Sequence, residues 1–243
     1  MNKSQLTNFI NKYTLGGEIK STKWVSNGDS LATRFISGDK SVVGKVVLSK
    51  FKHLEPCELG VYNTGQLSSL LSVLGDDVDV SLSRAGDKFI SMELEDTKRK
   101  TKSKYMLSDL SVIPTPPELK NLPDSFELGI KVDAHFINTF ISGKGALSEA
   151  ETFTILTEND ETQIVIGYAS IASNRVTIPV ETTKFKLMEP ISFNANMFAS
   201  ILSANKDCES ATLEVSSAGL SRIQFSIDNY DSEYFLVSTQ AVN

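Results

Sequence analysis

The sequence predicts an α+β protein that is rich in antiparallel sheet and has few helices. Four segments carry apolar residues at helical spacing, many short runs have strand character, and the four helical segments recur at regular intervals. The chain has 243 residues, of which 40% are hydrophobic and 22% charged, a composition typical of a globular protein with a buried core. This length predicts either one large all-β unit or two domains.

Two helices are predicted in the first half. The i, i+3, i+4, i+7 spacing that places apolar side chains on one helical face is met by Leu6, Phe9, Ile10 and Tyr13. A second helix is predicted to have Thr64 as its N-cap, a face of leucines, and Gly75 just past its end. The opposite face of each helix is polar.

The second half repeats this pattern. Asp133 is predicted to cap a helix whose apolar face is formed by Phe136, Ile137, Phe140 and Ile141. Asn194 is predicted to cap another, whose apolar face is formed by Met197, Phe198, Ile201 and Leu202. The remaining strand-like runs lie at 42–48, 78–83, 88–94, 153–157, 163–168, 175–180, 211–215, 222–227 and 234–238.

The spacing of the four helices predicts an internal duplication. With starts at 4, 64, 133 and 194, the intervals within the halves are 60 and 61 residues, and those between the halves are 129 and 130. Such recurrence indicates a doubled unit, itself made of two helix-then-strands units.

A proline-rich segment separates the two halves. Residues 111–123 hold four of the seven prolines, which neither a helix nor a central strand accommodates. We therefore predict an N-terminal domain of residues 1–110, an extended connector at 111–124 and a C-terminal domain of 125–243. The charge also divides there: residues 1–117 have 16 Lys and Arg against 13 Asp and Glu, whereas 118–243 have 8 against 17.

Several classes of protein are disfavoured. No apolar run is long enough to span a membrane and the N-terminus lacks a signal-peptide pattern, so we expect the protein in the cytoplasm. Cys57 and Cys208 have no metal-ligand spacing. His53 and His135 belong to no catalytic or metal-binding constellation, and the glycines of 38–46 depart from a phosphate-binding loop. We expect no enzyme activity, no metal and no cofactor.

The order of these elements resembles the trimeric DNA sliding clamps of tailed phages, which are related to proliferating cell nuclear antigen. The most specific stretch is residues 59–80, LGVYNTGQLSSLLSVLGDDVDV, which resembles the family's strand, second helix and acidic turn. Residues 194–206 and 234–237 are similar to elements near the end of those clamps, and residues 108–123 lie where their connector lies. The resemblance extends over essentially the whole chain. If a phage encodes the protein, the expected location is the host cytoplasm.

The resemblance implies a DNA-clamp fold, with two similar domains that each pack two helices on antiparallel sheets. It further implies a homotrimeric head-to-tail ring that encircles double-stranded DNA without reading its sequence. In that function the clamp tethers a DNA polymerase for processive synthesis, and a clamp-loader ATPase opens the ring. A phage virion or tail structural protein, which is also β-rich and acidic, is the alternative.

Polar helix faces are the predicted contacts with DNA, because a sliding protein needs weak phosphate contacts without base readout. The predicted residues are Lys3, Asn8, Asn11, Lys12, Asn138, Lys144 and Lys206. The helix dipole also favours lysines near helix C-termini. For Lys144 and for Lys206, each taken singly, this explanation is as good as DNA contact. The second helix has no lysine, unlike the basic inner faces of the family.

Two further surfaces are implied by the resemblance. The predicted partner pocket consists of Val42, Val112, Ile113, Leu119, Phe235 and Val237. Ordinary core or connector packing is the alternative for these residues, and it is favoured for Val42 and Val237. The predicted subunit interface joins the strands at 101–107 and 174–180 through Lys100, Lys102, Lys104, Tyr105, Arg175, Thr177 and Ile178. A solvated edge protected by lysines is the alternative there.

Overall fold

The computed structural model describes residues 1–118, 122–123, 125–158, 161–169, 174–184 and 189–239. The chain forms two compact units. The first comprises Met1–Gly38, Gly44–Pro117 and Asp228–Ser232, and the second comprises Asp39–Val43, Glu118–Ile227 and Glu233–Asn243. Each unit therefore includes a short segment from the other half of the sequence. The division into domains of 1–110 and 125–243 with a connector at 111–124 stays a prediction.

Four α-helices occur in the described residues. They are α1 (Lys3–Thr14), α2 (Thr64–Ser72), α3 (Ala134–Ala146) and α4 (Ala195–Ala204). The starts at 3 and 64 are 61 residues apart, as are those at 134 and 195, and both between-half intervals are 131. The observed recurrence is thus more regular than the predicted one. In each unit the two helices pack against each other.

The helix N-termini follow the rule that a short polar side chain accepts a hydrogen bond from a free backbone N–H group. The predicted caps Asp133 and Asn194 are confirmed, with bonds of 2.9 and 3.0 Å. The prediction of Thr64 as a cap is wrong: the Asn63 side chain accepts from Gln66 N at 3.0 Å, and Thr64 is the first helical residue.

Gly75 does not form the predicted glycine C-cap of α2, because the helix already ends at Ser72. The Gly75 N–H instead donates to the buried carboxylate of Asp96 at 2.7 Å. Asp96 also accepts from the backbone N–H groups of Lys98 and Arg99 at 2.9 and 2.8 Å. The carboxylate therefore fastens the loop after α2 to the turn at 97–101.

The first unit contains two antiparallel sheets. Its strands are β1 (Thr22–Ser26), β2 (Ser30–Ile36), most of β3 (Val42–Ser49), β4 (Cys57–Val61), β5 (Val78–Ala85), β6 (Lys88–Asp96) and β7 (Lys102–Met106). One sheet has the order β3-β2-β1-β4 and the other has the order β5-β6-β7. Strands β1 and β2 were not among the predicted strand-like runs, because Lys, Ser, Thr and Arg interrupt their apolar residues.

The second unit has the same layout of two sheets. Its strands are β8 (Leu128–Asp133), β9 (Thr152–Glu158), β10 (Glu161–Ile166), β11 (Val176–Pro179), β12 (Thr182–Lys184), β13 (Ile191–Asn194), β14 (Ser210–Ser216), β15 (Leu220–Ile227) and most of β16 (Tyr230–Val237). The sheets have the orders β12-β8-β14-β15-β16 and β11-β10-β9-β13.

Each unit has an aromatic core beneath its helices. In the first, the rings of Phe9 and Trp24 form a T-shaped pair with centroids 5.5 Å apart, and the Tyr13 hydroxyl accepts from Trp24 Nε1–H at 3.2 Å. In the second, Phe153 and Phe198 stack at 4.8 Å. Edge-to-face and offset aromatic pairs contribute about 0.5–1.5 kcal/mol beyond their buried area. The cores therefore fix the helices on the sheets, and the outer helix faces remain exposed.

Candidate nucleic-acid interface

The four helices share a property that the sequence analysis missed, the absence of acidic residues. Asp and Glu make up 30 of the 243 residues, yet the 12, 9, 13 and 10 residues of α1 to α4 include neither. Helix dipoles favour carboxylates in the first turn, so local stability alone would select for them. Counting carboxylates along the predicted helices would have revealed this depletion.

The caps extend the same trend. Three of the four N-caps, Asn2, Asn63 and Asn194, are neutral amides, and only Asp133 is a carboxylate. Asn and Asp cap helices about equally well, so capping itself does not require the neutral residue. The helices therefore present a surface that repels a polyanion less than the rest of the acidic chain does.

Three predicted DNA contacts lie on the exposed helix faces. Asn8 and Asn11 are exposed on α1, and Asn138 is exposed on α3. Lys206 is exposed just beyond the end of α4. Amide and ammonium groups in such positions can donate hydrogen bonds to phosphate oxygens without reading bases.

Lys12 and Lys144 lack the exposure that their predicted role requires. Lys12 is 5% exposed and its Nζ lies 5.5 Å from the ring centroid of Tyr230. Lys144 is 8% exposed and its Nζ donates to the Ser148 carbonyl at 2.7 Å. The second arrangement is the favourable interaction of a cation with a helix C-terminus. Phosphate contact by either ammonium group requires its side chain to leave this position.

Lys3 has an intermediate position. It is partly exposed at the start of α1, and its Nζ donates to the Leu74 carbonyl at 2.5 Å. This bond connects α1 to the segment that follows α2. One ammonium carries three donors, so two remain for another acceptor.

The predicted partner-pocket residues differ in exposure. In the first unit Ile113 is buried, whereas Val112 is 58% exposed. In the second unit Val42 and Phe235 are buried and Val237 is 43% exposed, while Leu119 lies outside the described residues. Exposed valines on strands or turns offer apolar surface to a partner, and the buried residues serve as core. The pocket itself stays a prediction.

The predicted interface strands are both sheet edges. β7 ends the order β5-β6-β7, and β11 ends the order β11-β10-β9-β13. Tyr105 and Ile178 are buried, while Arg175 and Thr177 are exposed. An edge strand has one row of unpaired backbone groups, which can pair with another chain.

The lysines of β7 and of the turn before it have partners within the same sheet. Lys102 Nζ lies 3.0 Å from Glu95, and Lys104 Nζ lies 3.2 Å from Glu93. Lys100 Nζ lies 3.8 Å from Glu95. These pairs are exposed to solvent, so each contributes little to stability, and they partly neutralise the basic run.

Across residues 1–118 and the other described ranges, no group of three or more His, Cys, Asp or Glu could hold a metal ion. No helix in the described ranges is long and apolar enough to cross a membrane.

Comparison with known proteins identifies the fold. No protein-family description and no curated protein matches the sequence. Among solved structures, the chain is similar to proliferating cell nuclear antigen from Entamoeba histolytica, with a TM-score of 0.74 and 15% sequence identity. The match covers 98% of this chain and 96% of the other. The chain therefore has the α+β DNA-clamp fold, with paired helices packed on antiparallel sheets in each of its two units.

Proposed function

We propose that this chain is one subunit of a homotrimeric sliding clamp that encircles double-stranded DNA and tethers a DNA polymerase for processive synthesis. The observation that carries the proposal is the combination of a clamp fold with helices that contain no Asp or Glu. The sequence resemblance in residues 59–80 supports the tailed-phage type. The proposed function is non-enzymatic and uses no metal or cofactor.

Neutral helix faces are sufficient for a sliding ring. Each phosphate neutralised by a cation releases counterions and strengthens sequence-independent binding, which a protein that can dissociate needs more than a closed ring does. Amide groups such as those of Asn11 and Asn138 contact phosphates without that electrostatic grip. With few cations, including Lys3 and Lys206, retention would come from ring closure, so weak contacts are sufficient.

Ring assembly is proposed to occur by backbone pairing between β7 of one subunit and β11 of the next. Leu107 N donates to Ile90 O, so the alternate residues Lys102, Lys104 and Met106 direct their backbone groups to the open edge. Val180 N donates to Thr162 O, so Thr177 and Pro179 face outward on β11.

We propose the antiparallel register with Lys104 opposite Thr177, which this phase allows. Lys102 then lies opposite Pro179, whose missing N–H removes only one bond of the ladder. The heterologous contact between two unlike edges closes into a ring when three subunits meet. The lysine charges have partners in their own sheet, so backbone pairing is the main proposed contact.

The proposed partners beyond DNA are a polymerase and a clamp-loader ATPase. Val112 and Val237 supply exposed apolar surface, each on its own unit. Peptides that anchor apolar side chains in such surfaces are a common mode of recognition.

Light scattering over a dilution series tests the assembly. We expect a trimer of three 26.6 kDa subunits. Lys104→Pro removes one outward N–H from the edge, whereas the control Lys104→Ala removes the charge and keeps that donor. The proline variant should dissociate at concentrations where the alanine variant is trimeric, with both retaining wild-type circular dichroism. A monomer at every concentration, or equal behaviour of the two variants, contradicts the proposed interface, and large open polymers favour a virion structural protein.

A further inference from the structure

A cavity of about 480 Å³ lies within the first unit, and none of its lining residues belongs to α1 or α2. Its apolar wall is formed by Phe89, Ile90, Leu107 and Leu110. Ile90 is 37% exposed, and the other three are partly exposed. The volume lies within the range of about 300–1,000 Å³ for ligand sites. The cavity can thus accommodate an apolar side chain.

One side of the cavity is an open strand edge. Ser108 N donates to Gly60 O at 2.9 Å, so the backbone groups of Gly60 point away from β1. Glu58, two residues earlier on β4, directs its N–H and C=O the same way. β4 ends its sheet, and no strand within the described ranges pairs with that side of Glu58. Glu58 also lines the cavity.

The charges at the cavity favour a cationic ligand. Glu58, Asp87 and Asp109 line it together with a single cation, Lys88. Lys88 Nζ lies 2.6 Å from Asp109 Oδ2, so this cation is already paired. Two carboxylates then remain without a matching cation in the lining. The Arg84 guanidinium lies 4.2 Å from the ring centroid of Phe89, but it is paired with Glu55 at 2.8 Å. A phosphate or nucleotide would be repelled, whereas Lys or Arg side chains would be attracted.

We propose that this cavity binds an extended peptide segment of a partner protein, in which an apolar side chain is flanked by Lys or Arg. The apolar side chain enters between Phe89 and Ile90, the backbone pairs with Glu58, and the flanking cations approach Glu58 and Asp87. This is strand addition combined with a side-chain pocket. The site lies wholly within the first unit and shares no residue with the predicted partner pocket.

The proposal goes beyond the clamp function and does not depend on trimer formation. The probe is the fluorescein-labelled peptide Lys-Thr-Phe-Thr-Lys with blocked termini, in which Phe and both lysines share one face when extended. Binding to the full chain is followed by fluorescence anisotropy. The peptide controls are Glu-Thr-Phe-Thr-Glu and Lys-Thr-Ala-Thr-Lys. N-methylation of the Phe amide removes the N–H donor on one edge of the peptide strand. N-methylation of both Thr amides removes the donors on the opposite edge.

We expect the Lys peptide to bind with a dissociation constant below about 1 mM and both control peptides to bind at least about tenfold more weakly. Ile90→Arg should weaken binding at least about tenfold, whereas Val73→Arg, at a 62% exposed valine outside the cavity, should not. The double variant Glu58→Gln, Asp87→Asn should bind the Lys peptide about threefold or more weakly than the wild type, and added salt should reduce the difference between the two proteins. Only one of the two methylated peptides should lose affinity.

The proposal is overturned if the Lys peptide does not bind at 2 mM, or if the Lys and Glu peptides bind equally. It is also overturned if Ile90→Arg retains wild-type affinity, or if both methylated peptides bind normally. Circular dichroism melting of each variant separates loss of binding from loss of fold. Because the measurement needs no DNA, its failure leaves the clamp function untouched.

Discussion

Replacing a neutral amide on a helix face by a carboxylate should weaken DNA binding without affecting the fold. Asn11→Asp and Asn138→Asp are nearly isosteric changes at exposed positions of α1 and α3. A carboxylate about 8 Å from one phosphate in water is repelled by about 0.5 kcal/mol. The proposed trimer would carry three copies of each change, which gives about 1.5 kcal/mol, or roughly tenfold in affinity.

The assay is fluorescence anisotropy with a short labelled duplex at low ionic strength, where screening is weakest. The matched control is Asn27→Asp, since Asn27 is exposed in the β1–β2 turn and its Oδ1 already accepts from Asp29 N and Ser30 N. Each helix variant should bind roughly tenfold more weakly than this control at about 10 mM salt, and the difference should shrink toward 150 mM. Equal affinities for all three variants would refute the assignment of the helix faces to DNA.

Three further predictions concern the fold that positions these faces. Tyr13→Phe leaves the buried Trp24 N–H without its acceptor and should cost about 1–3 kcal/mol in urea unfolding followed by Trp24 fluorescence; a change within error would contradict this. Gly75→Ala places a Cβ 2.5 Å from Asp96 Oδ2 and should cost about 1–3 kcal/mol in thermal unfolding, whereas an unchanged melting temperature would show that the loop adjusts freely. The pKa of the Asp133 carboxyl is lowered because the carboxylate accepts a hydrogen bond from the Phe136 N–H. The ionised carboxylate therefore stabilises the fold at pH values above the unfolded-state pKa of about 3.9, and this stabilisation is lost as the pH falls through the folded-state pKa. The urea midpoint of the wild type should therefore fall more between about pH 5 and pH 2 than that of Asp133→Asn, and parallel profiles would contradict the assignment.

The helices were predictable because apolar periodicity and polar caps are local signals. Asp133 and Asn194 cap α3 and α4 as predicted. Thr64 and its neighbour Asn63 are both good caps, and only the backbone geometry selects Asn63. Gly75 resembled a C-cap, yet its N–H meets the carboxylate of Asp96, 21 residues later. Such long-range contacts leave no local pattern.

The lysines on the helices were harder to assign from sequence. Lys12 follows the polar pattern of α1, but the ring of Tyr230, brought there by the fold, covers its ammonium group. Lys144 returns to the carbonyl groups at the end of α3, the alternative that the helix dipole favours. Lys206 lies beyond α4 without such a contact and remains exposed. The depletion of acidic residues, in contrast, could be read directly from the sequence once the helices were placed.

Retention on circular compared with linear DNA tests the central claim most directly. The protein is first loaded on nicked circular DNA by a clamp loader. Half of the sample is then cut once with a restriction enzyme, and gel filtration separates DNA-bound from free protein in both halves. We predict that the protein stays on the closed circle at moderate salt and is lost from the linear form, because only the proposed ring would hold it. Equal retention on both forms would show that binding is not topological and would contradict the clamp function.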